Sequence, residues 1–287
     1  MIKKRKINIG ALATLSPVTF WMIIFFLIPA LSILVISFCV RGEVGDIQYK
    51  FTLDNYRKLF NPLYIKIFFN SLMIAVSSTA LCLIFGYPFA YIIARAHKKL
   101  KPILVMLVIL PFWTNSLVRT YAMIILLRSE GILNTILLKL HIINVPIEIM
   151  YTNVAVMIGM IYMMIPFMVL PLYSSIEKVD ESYIEAARDL GASKTSTFIN
   201  VILPLTRAGI ASGSLLVFIP TLGLFFISDL MGGSKVVLMS NLIKNQFLTA
   251  RNWPLGSAIS VVLIVVMLIF MALSRRGSGE SIRKEVL

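Results

Sequence analysis

Six long apolar runs constrain this chain more than any other feature. They extend roughly over Pro17–Val40, Asn70–Ile93, Pro102–Leu126, Val154–Tyr173, Gly209–Asp229 and Pro254–Leu273. Each reaches or approaches the ~20 residues that cross a ~30 Å hydrocarbon core. The runs are unbroken rather than alternating, and lipid leaves no water for unpaired backbone groups, so each is expected to be a helix. A mean hydropathy of +0.90 fits one membrane domain over the whole length. The division expected is a terminal segment 1–16, a six-span domain 17–274 with a polar loop at 177–208, and a tail 275–287.

Charge orients these spans. Net charge is +14, and the basic residues cluster beside apolar runs, where they read as topology signals rather than as a nucleic-acid surface. Lys3, Lys4, Arg5 and Lys6 precede the first run. Arg95, Lys98, Lys99 and Lys101 fill the link between the second and third. Lys178, Arg188, Lys194 and Arg207 lie between the fourth and fifth, and Arg275, Arg276, Arg283 and Lys284 follow the sixth. That side is expected to be cytoplasmic, with both termini inside. The basic start resembles a signal sequence, but its apolar run is too long and lacks a small-x-small cleavage site, so a retained span is expected. Cys39 and Cys82 both lie in apolar runs and imply no disulfide framework.

The stretch Ser182–Pro204, SYIEAARDLGASKTSTFINVILP, is the longest polar, helix-competent segment between apolar runs. Ser182 and Glu185 have capping-box spacing. Gly191 stands where a helix would end in a left-handed residue. Ser193 can cap a second helix through Phe198 and Ile202 towards Pro204. The small Ala186, Ala187 and Gly191 would let another protein approach closely. The plain alternative is an ordinary loop with two short amphipathic helices. On the opposite side, Arg41–Phe69 suits a short interfacial helix. The link Leu127–Asn153 carries an apolar run, GILNTILLKL, too short to span, that lies flat or re-enters.

No chemistry of its own is legible. There is no G-x4-G-K-[ST] loop, and GGSK at Gly232–Lys235 lacks its spacing. The two histidines, His97 and His141, lie in loops and form no metal cluster. Polar residues inside spans are the functional candidates, because burying them in lipid is costly. Trp113 stands about eleven residues into the third run, roughly 17 Å deep, followed by Thr114, Asn115 and Ser116. Its face can hold an ammonium by cation–π attraction, about 2 kcal/mol when desolvated. The alternative is helix packing, with Asn115 bonding across an interface. Asp229 closes the fifth run at the outer mouth, where it either attracts a cation or pairs with Arg119 or Arg128. Phe225 and Phe226, one turn below, form an aromatic gate or merely pack. Glu130 and Glu148 face an outer partner or water. No Asp or Glu lies deep within any run.

EAARDLGASKTSTFINVILP matches the EAA motif of type I ABC importer permeases, EAA-x3-G-x9-I-x-L-P, at Glu185, Ala186, Ala187, Gly191, Leu203 and Pro204. Val201 replaces the isoleucine. FTLDNYRKLFNPLY, PFWTNSLVRTYA, PFMVLPLYSSIEK and ISDLMGG extend the resemblance to the permeases of spermidine/putrescine importers, from Phe51 to about Pro254. The resemblance implies an all-α integral membrane protein of the type I importer permease (MetI-like) fold, with six transmembrane helices and a cytosolic EAA coupling helix. It implies residence in a bacterial inner membrane and import of polyamines, spermidine or putrescine. It implies four partners: a second homologous permease, an ATPase dimer, an extracytoplasmic polyamine-binding protein and membrane lipid, with no nucleic acid. No cofactor belongs to this chain on that reading; ATP and Mg are bound by the partner ATPase. Competing readings are a permease for another small solute, a stand-alone secondary transporter and a membrane assembly factor.

Overall fold

The computed structural model describes residues 9–43 and 45–284, with side chains described for 14–43 and 45–274. The expectations for Lys3 to Lys6, and for the side chains of Arg275, Arg276, Arg283 and Lys284, lie outside the described residues. The chain is mainly helical and divides into two compact units, residues 1–61 with 243–264, and residues 62–242 with 265–287.

The first unit carries the first span helix, Thr14–Ile36, whose apolar stretch is not buried against protein at all. Phe20, Trp21, Phe25 and Phe26 point outward, as suits a helix solvated by lipid or by another chain. It ends four residues short of the expected Val40, because Ser37 turns its hydroxyl back onto Leu34 O and meets Tyr56 OH at 2.8 Å. A two-stranded antiparallel hairpin follows, β1 (Val40–Arg41) and β2 (Ile47–Gln48), with Val40 opposite Gln48. The short helix expected in this link is only Asp54–Leu59. Buried Asn55 anchors it by donating to Ser37 O and Cys39 O at 3.0 and 2.9 Å.

The second unit is built on the fourth span helix, Asn153–Glu177. It packs against the second span helix, Pro62–Arg95, and the fifth, Arg207–Gly223. Its buried face is methionine-rich, with Met160, Met163, Met164 and Met168 in the core. Methionine fills irregular gaps between helices that cross at uneven spacing. In lipid the drive for this packing is close contact rather than escape from water, so small residues matter. Gly209 and Gly213, one turn apart on the fifth span, supply them. A Cβ on Gly209 would stand 2.5 Å from Ser175 Cβ, and one on Gly213 would stand 2.8 Å from Met168 Sδ.

Three further boundaries depart from expectation. The second span helix begins at Pro62 rather than Asn70, so LYIKIFF, expected at the interface, belongs to the span. The third is not one helix. Lys101–Trp113 and Ser116–Leu127 are separated at Thr114 and Asn115, both in extended backbone. Residues Ser116–Lys139 are long and apolar enough to count as a span by composition. Arg128 leaves helical backbone, however, and Ile132–Lys139 is a separate short helix. The fifth stops at Gly223, and a break at Leu224 is followed by Phe225–Ile227 and a π turn, Ser228–Gly232. The last helix runs Trp253–Lys284, with Trp253–Ser274 apolar enough to cross.

Candidate functional site

The EAA segment forms helix, glycine turn, helix. The first helix is Glu181–Asp189. Its cap is not the expected Ser182. Asp180 stands before it, and its carboxylate accepts from Ser182 N at 3.0 Å, leaving Ser182 inside the first turn. That backbone N–H, with the Ser182 hydroxyl, holds the Asp180 carboxyl below its ordinary value. Gly191 has φ +82, and a Cβ there would meet nothing within 4 Å. Ser193 does cap the second helix, accepting from Ser196 N at 3.2 Å. Lys194–Leu205 then meets the fifth span helix at a 68° bend at Thr206.

The helix is amphipathic. Ile184 is buried, while Glu185 and Ala186 are exposed and Ala187 is half-buried. Leu203 and Pro204 are half-buried, and Leu203 packs on the core. The segment is tied to the second span at three points. Arg95 Nη1 pairs with Glu181 Oε1 at 3.1 Å, Tyr87 OH shares a 2.8 Å hydrogen bond with Thr206 Oγ1, and the Tyr87 ring meets Phe198 edge-on at 5.3 Å. Lys101 pairs with Glu177 at 3.0 Å beside it. Thus Glu185, Ala186 and Gly191 form an outward-facing patch on a firmly held base.

Away from the EAA segment, two interruptions lie on neighbouring elements, because Ser116–Leu127 packs against the π turn Ser228–Gly232. Trp113 ends the first half of the third span and is 74% exposed. It therefore does not pack within this chain. Asn115 caps the second half, accepting from Leu117 N at 2.8 Å, so within this chain its side-chain oxygen serves as a local cap rather than a bond across helices. Phe225 and Phe226 stand just beyond the Leu224 break, their rings 6.4 Å apart and edge-on. Asp229 lies in the π turn and accepts from Asn241 Nδ2.

Asn241, which sequence reasoning missed, holds this region together. It is buried, accepts from Ser228 Oγ at 2.6 Å and Leu238 N at 2.9 Å, and donates to Phe225 O at 3.1 Å as well as to Asp229. Met239 N donates to Ser71 Oγ at 2.9 Å, which joins the same region to the second span. Buried Asn134 does similar work, bridging Arg128 O to both backbone groups of Ile147. Glu130 and Glu148 come together, lining one cleft of about 440 Å³ with Arg128 and Lys235. Among the described residues, no group of His, Cys, Asp and Glu is arranged to hold a metal.

The chain is similar to known proteins. The family described as "Binding-protein-dependent transport system inner membrane component" matches residues 86–276. The spermidine/putrescine transport system permease protein PotB of Haemophilus influenzae is 48% identical over 271 residues, covering 94% of this chain and 95% of that protein. PotB of Escherichia coli is 50% identical over 258 residues, covering 90% and 94%. The inner membrane ABC transporter permease protein YdcU of Escherichia coli is 31% identical over 237 residues, covering 78% and 75%. Among solved structures, a bacterial ABC transporter importing alginate superposes with a TM-score of 0.71 at 18% identity, covering 94% of this chain and 96% of that one. At that identity the likeness concerns the fold.

Proposed function

The chain belongs to the family of binding-protein-dependent transport system inner membrane components, and from that premise we propose that it is the permease subunit of an ATP-driven polyamine importer. The observation that carries this reading is near-50% identity to PotB permeases along almost the whole chain. The geometry agrees with it. A patch of Glu185, Ala186 and Gly191 protrudes from a base tied to the second and fifth spans. That patch is the ATPase contact, and the side bearing it is cytoplasmic, as are both termini. The chain hydrolyses nothing; ATP and Mg belong to a partner ATPase dimer.

A second, homologous permease completes the path, and an extracytoplasmic binding protein delivers the substrate. The cleft of Glu130, Glu148, Arg128 and Lys235 presents both charge signs, which suits fixing the register of a docking protein. Trp113, exposed at a helix break, offers its ring face to an ammonium group. Discontinuous helices line solute sites in transporters, because broken backbone is tolerated only where protein or water covers it.

The test is ATP hydrolysis by the reconstituted complex in lipid, with the binding protein loaded with spermidine, with putrescine or empty. A polyamine-loaded protein should raise the rate above the empty one. Assembly and hydrolysis without stimulation by any polyamine would leave the importer architecture standing and overturn the substrate.

A further inference from the structure

Arg119 is the one charged side chain among the buried residues described. It stands in the first turn of the second half of the third span, just past the break. The side chain is nine-tenths buried, and both Nε and Nη1 are closed to solvent without donating a hydrogen bond. Among the described residues, the ion pairs found involve other basic groups. Its guanidinium carbon lies 5.2 Å from the centre of the Phe112 ring. Phe112 in turn meets Phe167 edge-on at 5.0 Å, near the middle of the fourth span helix. The charge therefore sits at mid-depth. A ring face offsets only part of the cost of drying a guanidinium. Such a group marks a place built for an anion that this chain does not hold.

No Asp or Glu lies deep within the spans, and Asp229, in the π turn beside this helix, accepts from Asn241. On the polyamine reading, on which this inference rests, the path still needs carboxylates to receive a polyammonium, and the second permease must bring them. Left empty, those carboxylates would be unpaired in the membrane, at the same kind of cost as Arg119. Two unpaired opposite charges at one depth resolve each other.

We propose that Arg119 is a resident counter-cation of the translocation path. It rests on Phe112 when a polyammonium occupies the path, and moves onto a carboxylate of the second permease when the path is empty. Arg119 and the substrate thus compete for one anion. Substrate entry releases the arginine, and substrate exit draws it back, so the anion is never left bare. Competition of this kind is a coupling between two ligands of one group, and couplings of this kind run from about 5-fold to about 150-fold.

The test measures equilibrium binding of labelled spermidine to the complete permease–ATPase complex in nanodiscs, without binding protein, alongside spermidine uptake by the wild-type complex. Arg119→Met, which keeps bulk and removes charge, should bind spermidine roughly fivefold tighter or more. Arg119→Lys should stay near wild type. Phe112→Leu removes the resting place and should shift binding the other way, to weaker. Binding by Arg119→Met that is equal to or weaker than wild type overturns the proposal. If Arg119→Met does not assemble, unchanged or tighter binding by Phe112→Leu overturns it instead. A wild-type complex that takes up no spermidine overturns the polyamine reading itself, which keeps the two failures apart.

Discussion

Single residues in this chain divide into those that speak through local chemistry and those that speak through distant partners. Gly191 is of the first kind. Its φ of +82 costs an L-residue roughly 1–2 kcal/mol, and the space around it is open. Gly191→Asp should therefore leave the protein in the membrane yet abolish uptake, by placing a charged side chain on the proposed ATPase contact. Uptake normalised to membrane abundance checks this, and normal uptake would sink the coupling assignment. Trp113 can be separated from packing in the same way, because its ring is mostly uncovered within the chain. Trp113→Ala should lower uptake several-fold more than it lowers assembly of the complex; equal losses would favour a packing role. Gly191 and the Ser193 cap were legible in sequence because turns and caps are settled within a few residues. Asn241 and Arg119 were not. The meaning of Asn241 comes from Phe225, Ser228 and Asp229, more than ten residues away. That of Arg119 comes from a ring across a helix break.

At the scale of elements, hydropathy located the spans but not their interruptions. A break at Thr114 and Asn115 changes no apolar content, so the third span read as continuous. The available signal was Asn115 itself, a strong capping residue inside an apolar run. The 8-residue extension of the second helix, to Pro62, was hidden by Lys66 and the aromatics around it. The glycine face of the fifth span makes a sharp prediction. Gly209→Val would drive its Cβ into Ser175 and the Pro171 carbonyl. We expect a destabilisation of about 1–3 kcal/mol, read as a lower thermal midpoint in detergent, while Ala208→Val on the exposed side of the same helix should be near neutral. Asn241→Leu should cost about 1–3 kcal/mol, since Ser228, Leu238 N and Asp229 each lose a partner in a buried setting. Hydrogen exchange at Ser228–Gly232 should rise with it, and unchanged protection there would remove Asn241 from its place as the local organiser.

For the molecule as a whole, the proposed coupling role makes the ties around the EAA segment matter more for transmission than for stability. Arg95–Glu181 is largely open to solvent on the glutamate side, so the pair contributes only about 0–1 kcal/mol. Glu181→Arg, on the exposed side of the pair, should therefore barely change thermal stability but should weaken stimulation of ATP hydrolysis by the loaded binding protein. The double exchange with Arg95→Glu should restore it. Loss of stability equal to the loss of stimulation would count against a transmitting role. The corner at Thr206 has a mechanical meaning. Lys194–Leu205 is an arm of twelve residues, about 18 Å long at helical rise, set at 68° to the fifth span. The corner is pinned to Tyr87. An arm of that length turning by about 10° about its pinned corner sweeps its tip through roughly 3 Å, about a third of the distance between packed helices. The joint thus has the geometry of a crank, with the 17-residue fifth span as its longer arm. On the proposed coupling role, a modest rotation of this arm is carried into the fifth span, and a softer corner would waste the stroke.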